Sequence, residues 1–426
     1  MWTESRLDQL AFISSGGTPS RDVDEFWGGD IPWVTPTDIT ACQTNYVVET
    51  ADRITKKGLL SSAAKLLPPG TILLTSRATV GVSRIAGLAL TTNQGFKNLI
   101  PQPHVDGTFL FYQVQRQRAV FERYAAGSTF PEINKKDTAR VLIAHPLGKS
   151  TQQRIASVIS CIDTAIEKIE TLIAKHQQIK AGLMHDLFTR GVLPNGQLRP
   201  PRSVAPELYQ KTTLGWIPRD WTVAALNDKV NPARPIVYGI LMPGYGHPGG
   251  VPVVKVKDIR DRSIDAANLL LTSPATDQEY RRSRLKGGDV LFTIRGTVGR
   301  VSLVPAALEN ANITQDTARI DLLGVSNTFI SLFMESSAAK RFFEINTLGV
   351  AVQGINLGEL RKLPIPVPSQ DEQEEISARL FCCLEYIDNE VAKKHKLEAQ
   401  KLGLMQDLLT GRVPVPVRAE PAETAA

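Results

Sequence analysis

Leu67-Pro68-Pro69-Gly70-Thr71-Ile72-Leu73-Leu74-Thr75-Ser76-Arg77-Ala78-Thr79-Val80-Gly81 returns 218 residues later as Leu285-Lys286-Gly287-Gly288-Asp289-Val290-Leu291-Phe292-Thr293-Ile294-Arg295-Gly296-Thr297-Val298-Gly299. Both segments set a short apolar run, Ile72-Leu73-Leu74 or Val290-Leu291-Phe292, between a glycine-bearing turn and the string Thr-x-Arg-x-Thr-Val-Gly. An apolar run of this length bounded by turn residues reads as a buried strand.

The same displacement holds on either side. Ile31-Pro32-Trp33-Val34-Thr35-Pro36-Thr37-Asp38-Ile39 is matched 220 residues on by Val251-Pro252-Val253-Val254-Lys255-Val256-Lys257-Asp258-Ile259. Residues 127–146 resemble 349–368, with Ile133-Asn134 against Ile355-Asn356, and Leu183-Met184-His185-Asp186-Leu187-Phe188-Thr189 recurs 221 residues later as Leu404-Met405-Gln406-Asp407-Leu408-Leu409-Thr410. Four matches in one order at nearly the same offset, about half of the 426 residues, define two copies of one unit. So long a period is a domain duplication and not a solenoid.

Within each copy, short apolar runs broken by Gly, Pro, Asn and Asp give way to a long helical pattern. In the first, Ile155, Ile162 and Ile169 recur every seven residues, with Val158, Ala165, Leu172 and Ile179 three residues after successive members of that register. This is coiled-coil spacing. The second places Ile376, Leu380, Cys383, Leu384, Ile387, Val391, Leu397 and Leu404 on a similar stripe, frayed at Glu390 and Lys394. His176 takes a core heptad position as a packing compromise, and Cys161 and Cys383 count as small apolar residues. The expected architecture is α+β. A first domain (1–150) leads into a helix (151–190), an exposed connector (191–213), a second domain (214–370), a second helix (371–412) and a disordered tail (413–426). The helices pair antiparallel and separate the two domains, with Ile155, Ile162, Ile169 and Leu172 facing Ile376, Leu380, Ile387 and Leu397. A helix of about 40 residues spans roughly 60 Å.

A net charge of +6 and a pI near 9.0 suit a polyanionic partner without requiring one. The opening Met1-Trp2-Thr3-Glu4-Ser5-Arg6 is not a secretory start, and no apolar run approaches a bilayer span. The four cysteines have neither metal-ligand nor disulfide spacing, so the chain reads as cytoplasmic and free of membrane.

Taken together, Gly16-Gly17-Thr18-Pro19-Ser20, the Ile31–Ile39 segment, the Thr-x-Arg-x-Thr-Val-Gly turns, Leu214-Gly215-Trp216-Ile217-Pro218 with Trp221, and the glutamine motifs Gln152-Gln153-Arg154-Ile155 and Glu372-Gln373-Glu374-Glu375-Ile376 resemble the specificity subunits of type I restriction–modification systems. The resemblance covers nearly the whole chain. It implies two target-recognition domains, each reading half of a split double-stranded DNA sequence, and a helical spacer that docks two methyltransferase subunits. Restriction and translocase subunits complete the complex. S-adenosylmethionine, ATP and Mg²⁺ are then expected on those partners, with no catalytic residue, cofactor or metal site on this chain. The second copy lacks Gly-Gly-Thr-Pro and has Tyr238-Gly239-Ile240 and Pro243-Gly244-Tyr245-Gly246-His247 instead, which implies unlike half-sites.

Reading DNA needs cations for phosphates and amide or guanidinium donors for base edges. Candidates in the turns of the first copy are Thr35, Thr37, Ser76, Arg77, Thr79, Gln94, Lys97, Asn134 and Lys135. In the second they are Lys255, Lys257, Thr293, Arg295, Thr297, Gln315 and Asn356. Arg77 and Arg295 occupy matching positions, where a base, a phosphate and an internal carboxylate are all open as partners. Bond-making chemistry is missing. No acid stands two residues before a lysine, no amino-methyltransferase signature occurs, and Gly148-Lys149-Ser150 lacks the earlier glycine of a P-loop. Gly244 to Gly249 matches G-x-G-x-x-G, but Pro248 and the want of a following helix argue against a dinucleotide site. A methylation-only complex and a protein scaffold without DNA are the competing readings.

Overall fold

The computed structural model describes residues 1–125, 131–260, 262–349 and 353–415. The chain folds as two units, Met1–Leu172 together with the chain from Glu390, and Ile173–Asn389.

In the first unit Ile72–Thr75 lies inside a five-stranded sheet, paired antiparallel with Ser83–Ala86 on one side and Phe96–Pro101 on the other. Ala11–Ser15 extends the sheet beyond Phe96–Pro101. Trp27–Val34 heads a second sheet, antiparallel to Asp52–Ile54 and parallel to Thr91–Thr92. The second unit repeats this frame. Val290–Thr293 pairs with Val301–Leu303 and Thr317–Ile320, Val237–Tyr238 lies outside Thr317–Ile320, and Val251–Val254 runs parallel to Asn312–Ile313. The apolar runs are strands because Ile72, Leu73, Leu74, Val290, Leu291 and Phe292 are all fully buried, their alternate side chains entering two different clusters.

The missing Gly-Gly-Thr-Pro proves a smaller departure than its letters suggest. By strand register Gly16 corresponds to Gly239. A Cβ on Gly16 would lie 2.2 Å from the Thr92 carbonyl oxygen, and one on Gly239 would lie 1.9 Å from that of Ile313. Only glycine lets the two backbones approach so closely. The first glycine of the motif is therefore kept, and the residues after it have diverged.

The long helices run Lys149–Thr189 and Gln370–Leu408. The glutamine motifs fasten their starts. Gln152 accepts the Asp106 N–H at 2.8 Å and donates to the Pro146 carbonyl at 3.0 Å. Gln373 accepts the Ser326 N–H at 2.8 Å and donates to the Pro368 carbonyl at 3.0 Å. Asp106 and Ser326 are themselves the N-caps of the helices Gly107–Arg116 and Asn327–Phe333. One buried amide thus joins two helix starts, satisfying backbone groups that burial would otherwise strand.

Within each unit the long helices lie antiparallel. In the first, Asp163 meets Lys401 at 2.6 Å and Glu170 meets Lys394 at 2.7 Å, so a rise of seven on one helix is a fall of seven on the other. In the second, His176 stacks on Tyr386 with ring centroids 4.1 Å apart. Glu390 and Lys394 do not fray the stripe; they are held in ion pairs to Lys393 and Glu170. Tyr112 O–H also donates to Asp163 at 2.6 Å, and burial followed by this bond drives the phenol far above its ordinary range. Ile155, Ile376, Leu380 and Ile387 are buried, whereas Ile162, Ile169 and Leu397 are half-buried and Leu172 is 39% exposed. Two helices cover only one flank of an apolar stripe, so its outer positions remain open. For the same reason Cys161 is exposed and not the small core residue expected.

Three other expectations change. The stretch 191–213 is no exposed connector: Val192, Arg199, Ala205 and Tyr209 are buried, and Tyr209–Thr212 forms a hairpin with Gly215–Pro218. Arg199, paired with Glu372 and Asp220, is what ties the stretch down. The repeated helix ends cross over. Met184, Leu187 and Phe188 enter the core of the second unit, while Leu408 and Leu409 enter that of the first. Each unit is thus a globular domain plus helix from both sequence copies, whereas the sequence divides the chain into consecutive blocks. Of the expected tail, Val415 packs on the first unit's core, and residues 416–426 lie outside the described residues. Among the described residues no helix is long and apolar enough to cross a membrane.

Candidate nucleic-acid interface

Each Thr-x-Arg-x-Thr-Val-Gly string is a turn locked from inside. The Thr75 hydroxyl donates to the Thr79 carbonyl and accepts the Val82 N–H at 3.1 Å. The Thr293 hydroxyl donates to the Thr297 carbonyl and accepts the Arg300 N–H at 2.9 Å. The turn then closes through the Gly81 N–H to Thr75 or the Gly299 N–H to Thr293, each at 3.0 Å. Buried Thr293 is therefore a clamp, and the candidate role in DNA contact passes to the residues it holds outward, Arg77 and Thr79 in one unit and Arg295 and Thr297 in the other.

The arginines meet different surroundings. Arg77 Nε lies 2.9 Å from Glu132 Oε1. Beneath it Lys97, only 4% exposed, donates to the buried Ser76 hydroxyl at 3.1 Å. Burial holds the Lys97 ammonium below its ordinary range, with nearby Glu132 opposing. Ser76 and Lys97 thus support the turn from within. In the second unit Gly354 stands across the bridge from Arg295 where Glu132 faces Arg77. Strand register puts Ala318 at the Lys97 position and Asp316 at that of Gly95. Arg295 Nη1 reaches Asp316 only at 3.9 Å, and its side chain is 57% exposed.

Arg295 stands between two concavities. One, of about 510 Å³, brings together Arg295, Gln315 and Asn356 with Tyr238, Leu241 and Leu348. The other, of about 610 Å³, brings Lys257 and Thr297 to Arg295, with Arg300 and Asp316. Five of the seven sequence candidates of this copy converge here. Lys255 lines neither and bonds through its backbone N–H to Asp258 at 2.9 Å. Asn356 also caps the helix Leu357–Arg361, accepting the Glu359 N–H at 2.8 Å, so its side-chain oxygen is already engaged.

The remaining candidates of the first copy divide. Thr35 caps Pro36–Ala41 and donates to Asp38 at 2.7 Å, and Asn134 caps Lys135–Arg140 through the Asp137 N–H at 2.9 Å. Both do local work. Thr37 and Lys135 are exposed, Lys135 with its ammonium 5.7 Å from the Phe12 ring, and exposed Gln94 accepts from Thr18. Of the loop 128–136 that carries Asn134 and Lys135, residues 128–130 lie outside the described residues. Residues not anticipated are Tyr238, Arg300, Glu132 and Asp316. Tyr238 directly precedes the glycine aligned with Gly16 and Arg300 directly follows the turn glycine; the repeat register alone marks both.

Comparison with known proteins shows the family and the fold. The family described as Type I restriction modification DNA specificity domain matches residues 1–180 and 247–399. A type I restriction enzyme specificity subunit of Methanocaldococcus jannaschii, MjaIX, is 26% identical over 97% of this chain and 94% of its own. The EcoBI specificity subunit of Escherichia coli is 28% identical over 64% of this chain and 60% of its own. A type I restriction–modification S subunit from M. genitalium shares the fold at a TM-score of 0.59 and 15% identity, covering 96% of each chain. The chain belongs to the type I restriction–modification DNA specificity family, and its function is that of a specificity subunit.

Proposed function

We propose that this chain reads a split, asymmetric double-stranded DNA sequence, one half with each recognition domain, and confers that choice on partner subunits. The observation carrying the proposal is that both units hold an arginine on the same hydroxyl-locked turn, yet surround it with different side chains. One frame with two unlike faces suits two unlike half-sites. Arg295, with Gln315 beside it, serves as a base reader of the second half-site. Arg77, held by Glu132, positions the backbone of the first.

Two methyltransferase subunits modify adenine at the chosen site, and ATP-dependent restriction subunits cleave unmodified DNA. S-adenosylmethionine, ATP and Mg²⁺ are bound by those partners. The long helices set the gap between half-sites: one added heptad in each lengthens them by about 10 Å, roughly three base pairs.

Mapping modified adenines in the native genome, with and without the gene, tests the reading. A two-part motif that disappears with the gene is expected. A continuous motif, or an unchanged map, overturns it. Modification without cleavage of an unmodified target in cells would limit the assembly to methylation.

A further inference from the structure

A second basic centre lies at the opposite end of the sheet that carries Arg295. Val290 pairs with Ile320 and Thr293 with Thr317, so Arg295 and Asp316 mark one end of these strands and Asp289 and Asp321 the other. Asp289 and Arg295 are six residues apart and Asp316 and Asp321 five, so the ends lie about 17–20 Å apart along the strands. At the far end a concavity of about 210 Å³ is lined by Arg234, Arg281, Arg282, Arg284, Lys286 and Arg319.

Three carboxylates answer only two of these cations. Asp289 and Asp321 hold Arg234 at 2.5 and 3.0 Å, and Asp277 holds Arg284 at 2.5 Å. Arg281, Arg282 and Lys286 are exposed and form no ion pair among the described residues. Arg319 is the unusual member. It is 1% exposed, donates through Nη2 to the Pro235 and Arg282 carbonyls at 3.0 and 3.2 Å, and leaves Nε and Nη1 without a partner. Burial, then the nearby Arg234 charge, depresses its affinity for the proton. Asp289 and Asp321 oppose this from farther off, but a buried guanidinium in no ion pair and with two idle donors is costly unless an anion completes it. With Nη2 taken by the two carbonyls, Nε and Nη1 remain as separate charged donors for oxygens of an oxyanion. Cations on several sides favour a tetrahedral phosphoryl group over a planar carboxylate.

We propose that this pocket of the second unit is a phosphoryl-anion site, whose occupant is a DNA-backbone phosphodiester or a free phosphate. It is independent of base reading at Arg295, and the two can fail separately. The test uses the full chain, the variant R281Q/R282Q, whose changed side chains are exposed, and R319M, with folding checked by circular dichroism.

In calorimetric titration at fixed ionic strength, inorganic phosphate should bind the parent chain at least tenfold more tightly than R281Q/R282Q. If the source is DNA, the logarithmic salt slope for binding a duplex should fall by about two in R281Q/R282Q and by about one in folded R319M, with base preference unchanged. Phosphate binding lost in the variants with an unchanged slope assigns free phosphate. A slope that falls in R281Q/R282Q but not in folded R319M, without phosphate binding, reflects a diffuse surface field and overturns the pocket. So does no change in either measurement.

Discussion

The turn at Arg77 and the turn at Arg295 share their inner bonds and differ in what surrounds them. Thr75 and Thr293 close the two backbones with the same pair of hydrogen bonds. Outside, Glu132 grips one arginine while the other has only a distant Asp316. Groups that satisfy buried backbone are costly to change, because each loss strands a donor or acceptor away from water. Exposed charges move at little cost. The duplication therefore diverged where it faces outward.

The sharpest break in this symmetry lies at the second helix start. Glu372 accepts from Arg199 Nη2 at 3.1 Å, Trp221 Nε1 at 2.9 Å and the Val192 N–H at 2.7 Å, all buried. The same register position in the first copy is Thr151, which has no such role. Glu372→Leu leaves a buried arginine facing only Asp220, and a loss of about 3–5 kcal/mol is expected from chemical denaturation. Thr151→Ala should cost within about 0.5 kcal/mol. Comparable losses at both sites would refute the asymmetry.

Next come the glutamines. Gln152→Leu and Gln373→Leu each strand one N–H and one carbonyl, so each should cost about 1–3 kcal/mol, and by similar amounts. A large difference in denaturation midpoint would break the equivalence of the two helix starts. On DNA, Arg295→Ala should relax preference at one base position of one half-site by about 1–3 kcal/mol. Arg77→Ala should weaken binding evenly across sequences; competition binding with single-base variants separates the two. The smallest effect concerns backbone. Ala78 holds φ 58° where the second copy has Gly296 at φ 79°. Ala78→Gly should stabilise, and Gly296→Ala destabilise, by about 1 kcal/mol in thermal melts, since a Cβ strains the left-handed region.

The crossing of the helix ends could not be read from the repeat. Leu183–Thr189 and Leu404–Thr410 look like endings of their own copies, and periodicity shows that a helix buries a face without saying against which domain. Likewise, the prolines of 191–213 suggested an exposed connector, because nothing local reveals that Arg199 finds Glu372 from 173 positions away. Candidate DNA contacts were legible only as a pool: Thr35, Asn134 and Thr293 share the composition of readers but serve as caps and clamps.

By itself, the sequence determined the duplication, the strand-and-turn frame, the two long helices and the family, because these rest on local pattern and on register between copies. The tertiary structure alone decided which helix end completes which core, which polar residues face inward, and that Arg295 stands open where Arg77 is held. Those outcomes depend on groups far apart in the chain meeting in space, where burial and pairing assign one residue type either to structure or to contact.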